Sequence, residues 1–214
     1  PKVLTQLPVN TISLDKITGL ESIDWLILDN LNDSLAVLEN GEKALKDTLL
    51  IQARINFQPT HEKQPELTLI SHWAARHGFS FYRLNNEAHI SHLPKRDDLI
   101  ERQATQLASA DAIYIPNAER MAVLDDNQRM KLAFVLHTVY GMKDLAHQLL
   151  EQLDEGKAEE YLAEENFVPG LPKVPAKINT IYDVIKFLES SRLRKSAPNH
   201  NLPGRLVVSL TSYK

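Results

Sequence analysis

Polar and hydrophobic positions alternate along the first half of this chain in two rhythms. Short runs rich in β-branched and aromatic residues predict strands over 24–28, 48–57, 79–84 and 112–115. Between the first two, Leu35, Val37, Leu38 and Leu45 suit a short helix that closes or restarts at Asn40-Gly41. Between the second and third, Leu67, Leu69, Ile70, Trp73 and Ala74 recur at helical spacing over 65–77, and Gly78 is placed to end that helix. This alternation predicts βαβ units and a parallel sheet. The polar stretch 85–110 predicts a further helix over 97–108, leading back to the last sheet strand. Residues 1–117 therefore read as the second half of an open α/β sheet.

After Pro116 the pattern becomes helical. Amphipathic helices are predicted over 126–139 and 144–153, separated by Tyr140-Gly141-Met142-Lys143, and a third over 182–192 beyond a Pro-rich stretch at 168–175. The pair over 137–150 is weakly similar to a tetratricopeptide hairpin. A single hairpin of that kind cannot bury its own face, so it is expected to pack on the α/β part. Residues 118–195 thus form a helical appendage. Residues 196–203 read as a linker, and 205–210 as the first strand of a further domain, so the segment 196–214 is a linker and domain start.

Composition narrows the field of functions. The 214 residues, 43% hydrophobic and 24% charged, suit one globular domain plus attachments. A net charge of −4 gives no case for a nucleic-acid partner. The absence of cysteine excludes thiolate catalysis, Cys-based zinc sites and disulfides, and it is compatible with a reducing cytoplasm, the expected location. No apolar run approaches the ~18–20 residues of a membrane span, and no charged-then-apolar leader opens the chain. The opening at Pro1 and the ending in mid-pattern suggest a piece of a longer protein.

The chemistry concentrates at 24–41. An apolar strand runs into Asp29 and a polar elbow, which places a carboxylate at the carboxyl end of a sheet strand, where α/β folds bind ligands. Two roles are open to Asp29: contact with a ligand, or capping of the turn that follows. Asp33-Ser34 suits an N-cap of the next helix. His61 follows a strand end and is the first histidine to test. His72/His77 and His89/His92 lack the further ligands that a zinc site needs, and no metal is expected. There is no nucleophile elbow, and the seven glycines form no phosphate-binding loop. The acidic stretch 151–160 suits the solvated face of a helix.

Leu14-Asp15-Lys16-Ile17, then 23–29 and Leu38-Glu39-Asn40-Gly41, resemble the FkbM family of S-adenosylmethionine-dependent methyltransferases. There, a Leu-Asp-x-Ile segment precedes a strand reading roughly Asp-x-Leu-Lys-Ile-Asp-x-Glu-Gly-x-Glu. The order of the strand at 49–57, Gln64-Pro65, Gly78-Phe79 and 110–116 also fits, so the resemblance covers about residues 10–117. It implies a Rossmann-like methyltransferase sheet, mixed, with the last strand antiparallel. It also implies S-adenosylmethionine as cofactor and methyl transfer to a hydroxyl of a saccharide or small-molecule acceptor, and of the family's motif only Asp29 carries over with its chemistry intact. The cofactor-binding candidates are Asp29, Asn30 and Asp33, and the catalytic candidates are Asp29 and His61. Two departures stand out. The family's lysine is Ile27 here, and its Glu-Gly-x-Glu falls on Leu31-Asn32-Asp33-Ser34. The family's cofactor loop belongs to the first half of the sheet, which is expected before Pro1. The end of the chain, 206–213, is similar to the opening strand of certain bacterial glycosyltransferase domains, which implies adjacent domains of the same polypeptide as partners. A rival expectation is a degenerate methyltransferase fold kept as a scaffold between such modules.

Overall fold

The computed structural model describes residues 11–20, 22–29, 33–58, 64, 66–100, 103–168 and 208–210. These fall into two compact units, one up to Met121 that also takes in 208–210, the other from Ala122 onward.

The first unit is an α/β structure built on a mixed sheet of five strands in the order β3-β4-β2-β1-β5. The strands are β1 (Trp25–Leu28), β2 (Leu50–Asn56), β3 (Phe79–Ile90), β4 (Gln106–Pro116) and β5 (Val208–Leu210). β1 runs parallel to β2, whereas β4 lies antiparallel between β2 and β3. β3 therefore runs in the same direction as β2, with one strand slot between them. The three residues of β5 pair in parallel with β1, on the segment that the sequence assigns to the start of a further domain.

Helices α1 (Ser34–Glu39) and α2 (Leu67–Arg76) supply one layer. Ile51, Ala53 and Ile55 alternate along β2 and face it, together with Leu26, Leu28, Ala112 and Tyr114 from the neighbouring strands and Leu38, Ile70 and Trp73 from the helices. α1 ends at Asn40, whose side-chain amide donates to the Ala36 carbonyl at 2.9 Å, and the chain to Asp47 is turn rather than resumed helix. α2 ends as its sequence predicts, with Gly78 at φ +79° just beyond His77.

Two motif segments that lie far apart in sequence are in contact here. The Asp15 carboxylate accepts the backbone N–H groups of Lys43 and Ala44, each at 3.0 Å. Leu14 packs so tightly on Gly41 that a Cβ there would lie 2.9 Å from its Cδ1 and 2.9 Å from the Val37 carbonyl oxygen. Glycine is needed at 41 for this close approach.

The predicted helix over 97–108 does not form. The described residues of that stretch are coil and turn until β4 starts at Gln106, and β3 runs to Ile90 rather than stopping at 84. Beyond Asn56, where β2 ends, β3 and β4 continue together as a two-stranded ribbon, pairing as far as Ile90 with Gln106. Both faces of that ribbon are largely exposed, so its sequence shows no alternation. The charged stretch 95–101 favours helix locally but offers no apolar face to bury, and packing supplies most helical stability.

In the second unit, α4 (Asp126–Thr138), α5 (Lys143–Glu151) and α6 (Glu155–Glu164) succeed one another, after a short α3 (Ala118–Ala122) at the junction of the two units. A reciprocal capping box of Asp125 with Gln128 starts α4, and Asp154 caps α6 through the Lys157 N–H. Met130, Leu132, Ala133 and Leu136 of α4, Ala146 and Leu149 of α5, and Ala158 and Tyr161 of α6 are buried. α6, drawn from the acidic stretch, packs against α5. The helix predicted over 182–192 and the Pro-rich stretch lie outside the described residues. Among the described residues, no helix is long and apolar enough to cross a membrane.

Candidate ligand edge of the sheet

The carboxyl ends of β1 and β2 define one edge of the sheet. Asp29 follows β1 directly and is half-buried. Its carbonyl oxygen accepts a hydrogen bond from the fully buried Ser34 hydroxyl at 3.3 Å, which clasps the elbow between β1 and α1. Asp33 caps α1, its carboxylate accepting the Ala36 N–H at 3.1 Å. At the end of β2, the Gln64 side chain donates to the Asn56 carbonyl at 3.2 Å. Asn30 and His61 lie outside the described residues.

Strand register brings further residues to this edge. Leu28 pairs with Ala53, Ala53 with Ala112, and Ala112 with Leu84, an apolar row under the helices. One residue onward the side chains switch to the opposite face. The row there reads Arg54, Asp111 and Asn85 by register, and Asp29 stands next after Leu28.

A polar network is built on that row. Arg54 Nη1 donates to Asp111 Oδ1 at 2.9 Å and to the Asn86 carbonyl at 3.3 Å, and its Nη2 donates to Ser109 Oγ at 3.1 Å. The second oxygen of Asp111 accepts the Asn86 side-chain amide at 2.7 Å. Asn86 reaches both partners because β3 bulges after Asn85 and holds Asn86 at φ +49°. Asparagine tolerates that left-handed conformation better than most residues. Asp111 is 6% exposed, so a charge-paired and doubly hydrogen-bonded carboxylate is what its burial requires.

The opposite edge is held by Arg120 of α3. Its guanidinium donates to the carbonyls of Leu45, Lys46 and Thr48 at 3.3, 2.5 and 2.9 Å, and to that of His77 at 3.1 Å, while lying 4.3 Å over the Phe79 ring. Burial lowers its pKa from the ordinary arginine value, against the opposing attraction of Asp47.

Some of the described histidines make side-chain contacts within the fold. His77 stacks on Trp73 at 4.0 Å and joins the Trp73 carbonyl and the Glu42 carboxylate. His89 approaches Glu87 at 3.8 Å. In the helical unit, His137 Nδ1 and the Tyr161 hydroxyl share a hydrogen bond of 2.8 Å, and Lys143 pairs with Glu165. Burial, then repulsion from Glu165 and Asp144, pushes the Tyr161 phenol up to about 12. Among the described residues, no group of three or more His, Asp or Glu is placed to hold a metal ion.

Arg54, Asp111, Asn86 and Arg120 did not emerge as site or framework residues from motif reading. A signal was present for two of them. Arg54 and Asp111 each interrupt an otherwise apolar strand, and a charge in such a place demands a partner across the sheet. Asn86 and Arg120 act through a bulge and through main-chain carbonyls, which leave no trace in sequence spacing.

Comparison with protein-family models, with curated proteins and with solved structures finds no match.

Proposed function

We propose that the first unit is the carboxyl-terminal half of a Rossmann-like, S-adenosylmethionine-dependent methyltransferase-type domain. The polypeptide that carries it would transfer a methyl group to a saccharide hydroxyl in bacterial glycan assembly. The observation that carries this reading is the reversed last strand. β4 enters between β2 and β3, antiparallel to both, and leaves β1 with Asp29 at the ligand edge. The contact of Leu14 and Asp15 with Gly41 and its neighbours adds support, because it joins parts of the resemblance that spacing alone left separate.

When bound, the cofactor supplies an electrophilic methyl group on a sulfonium. The residues of this chain hold and orient. The Asp29 carboxylate can accept hydrogen bonds from a hydroxyl or an ammonium group, with Asn30 and Asp33 as the accompanying candidates. Asp29 or His61 would take the proton of the acceptor hydroxyl, and alignment of the bound groups would provide most of the rate. Isothermal calorimetry with S-adenosylmethionine tests this. Micromolar binding that Asp29→Ala abolishes is the expected outcome, and heat-silent titration of the polypeptide that carries this chain overturns it.

A second reading has its own observation. Where the family has the last glutamate of its motif, Ser34 is fully buried and spends its hydroxyl on the Asp29 carbonyl. Such an elbow suits a fold retained as a scaffold between neighbouring modules, and absence of cofactor binding with an intact fold would favour it.

A further inference from the structure

Asn40 is the one asparagine of this chain that a glycine follows. That pairing has an inherent reaction. The main-chain nitrogen of Gly41, unshielded because glycine has no Cβ, can attack the side-chain carbonyl carbon of Asn40. The new bond from nitrogen to Cγ closes a succinimide ring, the bond from Cγ to Nδ2 breaks, and the proton of the attacking nitrogen leaves with the amide as ammonia. Water then opens the ring at either carbonyl, giving an aspartyl or an isoaspartyl residue. Asn40 is exposed at the end of α1, so water reaches it.

In the folded chain each reacting group is held elsewhere. Asn40 Nδ2 donates to the Ala36 carbonyl at 2.9 Å, which keeps the amide on the last turn of α1. The Gly41 N–H donates to the Leu38 carbonyl at 3.3 Å, so the attacking nitrogen is engaged. The Asn40 carbonyl accepts the Asp15 N–H at 3.4 Å, and Leu14 lies against the buried Gly41 where a Cβ would stand. Ring closure has to take the amide off Ala36, free the Gly41 nitrogen and turn the backbone between them. The clasp of Leu14 and Asp15 on this turn must therefore open first. An isoaspartyl residue carries one more methylene in the main chain. The packing at Gly41 does not admit even a Cβ, so the clasp cannot close again around it.

We propose that Asn40-Gly41 is a spontaneous modification site, gated by the Leu14–Asp15 clasp and irreversible once passed. Water is the co-reactant and ammonia the product released. Local opening of the turn, rather than unfolding of the whole unit, sets the rate. The outcome is a one-way loosening of the turn whose Lys43 and Ala44 N–H groups bind the Asp15 carboxylate. It stands independently of the function proposed above.

The test is mass-spectrometric mapping of the chain over time in mildly alkaline buffer, resolving the asparaginyl, aspartyl and isoaspartyl forms at position 40. Wild type unfolded in urea is expected to convert about tenfold faster, or more, than folded wild type. Leu14→Ala should raise the rate in the folded chain about fivefold, whereas Arg54→Gln, which loosens the same sheet elsewhere, should leave it unchanged. Equal rates in the folded and unfolded chain overturn the gate. So does acceleration by Arg54→Gln that matches that by Leu14→Ala. The two wild-type rates decide the matter even if Leu14→Ala fails to fold. Amide hydrogen exchange reads the consequence. In the isoaspartyl form, the Lys43 and Ala44 amides should exchange about tenfold faster than in wild type, and the encoded Asn40→Asp chain should differ from wild type by no more than about twofold. Unchanged exchange in the isoaspartyl form overturns the one-way step.

Discussion

Two arginines hold the two ends of the same sheet, and they do so by different means. Arg120 gathers four main-chain carbonyls at the amino-terminal edge and lies flat on Phe79. Arg54 is tied at the carboxyl edge to two side chains, Asp111 and Ser109, and to one carbonyl, that of Asn86. Main-chain carbonyls cannot be changed by point substitution and have no competing use, so the first arrangement is a fastening. Side-chain partners can be removed one at a time by substitution, so the second is an adjustable tie between strands. The contrast shows that charge and partial burial alone do not say how an arginine holds a sheet. What separates the two is whether the partners are main-chain carbonyls or chiefly side chains.

The largest effect is expected from Arg120→Ala, which strips a charged donor from four carbonyls and uncovers Phe79. Urea unfolding should show a loss of about 3 kcal/mol, with Arg120→Lys recovering less than half of it. A loss below that of Arg54→Gln would reverse the comparison.

Gly41→Ala comes next and sharpens the point that the ligand edge has its own fastening. Its Cβ would meet the Val37 carbonyl, which is backbone and cannot swing aside as Leu14 can. A loss of about 2 kcal/mol in the same assay is expected. Arg54→Gln should cost about 2 kcal/mol, since the buried Asp111 carboxylate loses its counter-charge and keeps the Asn86 amide. A loss as large as that for Arg120→Ala would make Arg54 a fastening too.

The smallest effect belongs to the helical unit, as a control for polar clusters in general. Tyr161→Phe removes the hydrogen bond to His137 and should cost about 1 kcal/mol near neutrality. The folded state raises the phenol pKa, so its contribution is fully present below the ordinary tyrosine value and is lost as pH rises from about 10 through about 12. The advantage of wild type over the Phe variant should therefore shrink across that window in unfolding curves. A constant difference would contradict it.

The legibility of these features follows from the kind of interaction behind each. β1, β2, α1 and α2 were readable because Leu26, Leu28, Ile51, Ala53, Ile55, Ile70 and Trp73 bury one face at the period of their element. The reversed β4 was legible only through the family resemblance, since antiparallel and parallel strands of equal burial look alike. The extension of β3 from Asn85 to Ile90 was missed because its residues are mostly exposed. At the candidate site, Asp29 and Asp33 stood out by position in a motif, and Asp33 proves to cap α1. Arg54 and Asp111 needed the register, because they lie 57 positions apart and meet only across two strands.

The slot that β4 fills also dictates how the sheet can assemble. β3 has no hydrogen-bonding route to β2 except through β4, which pairs with both. The ribbon closes over a loop of modest length, whereas β2 must wait more than forty residues for its outer neighbour. Loop closure and contact order favour the hairpin as the earlier event. Docking of that hairpin onto β2 would then form the bond between Arg54 and Asp111. That contact is thus the seam at which the sheet is completed.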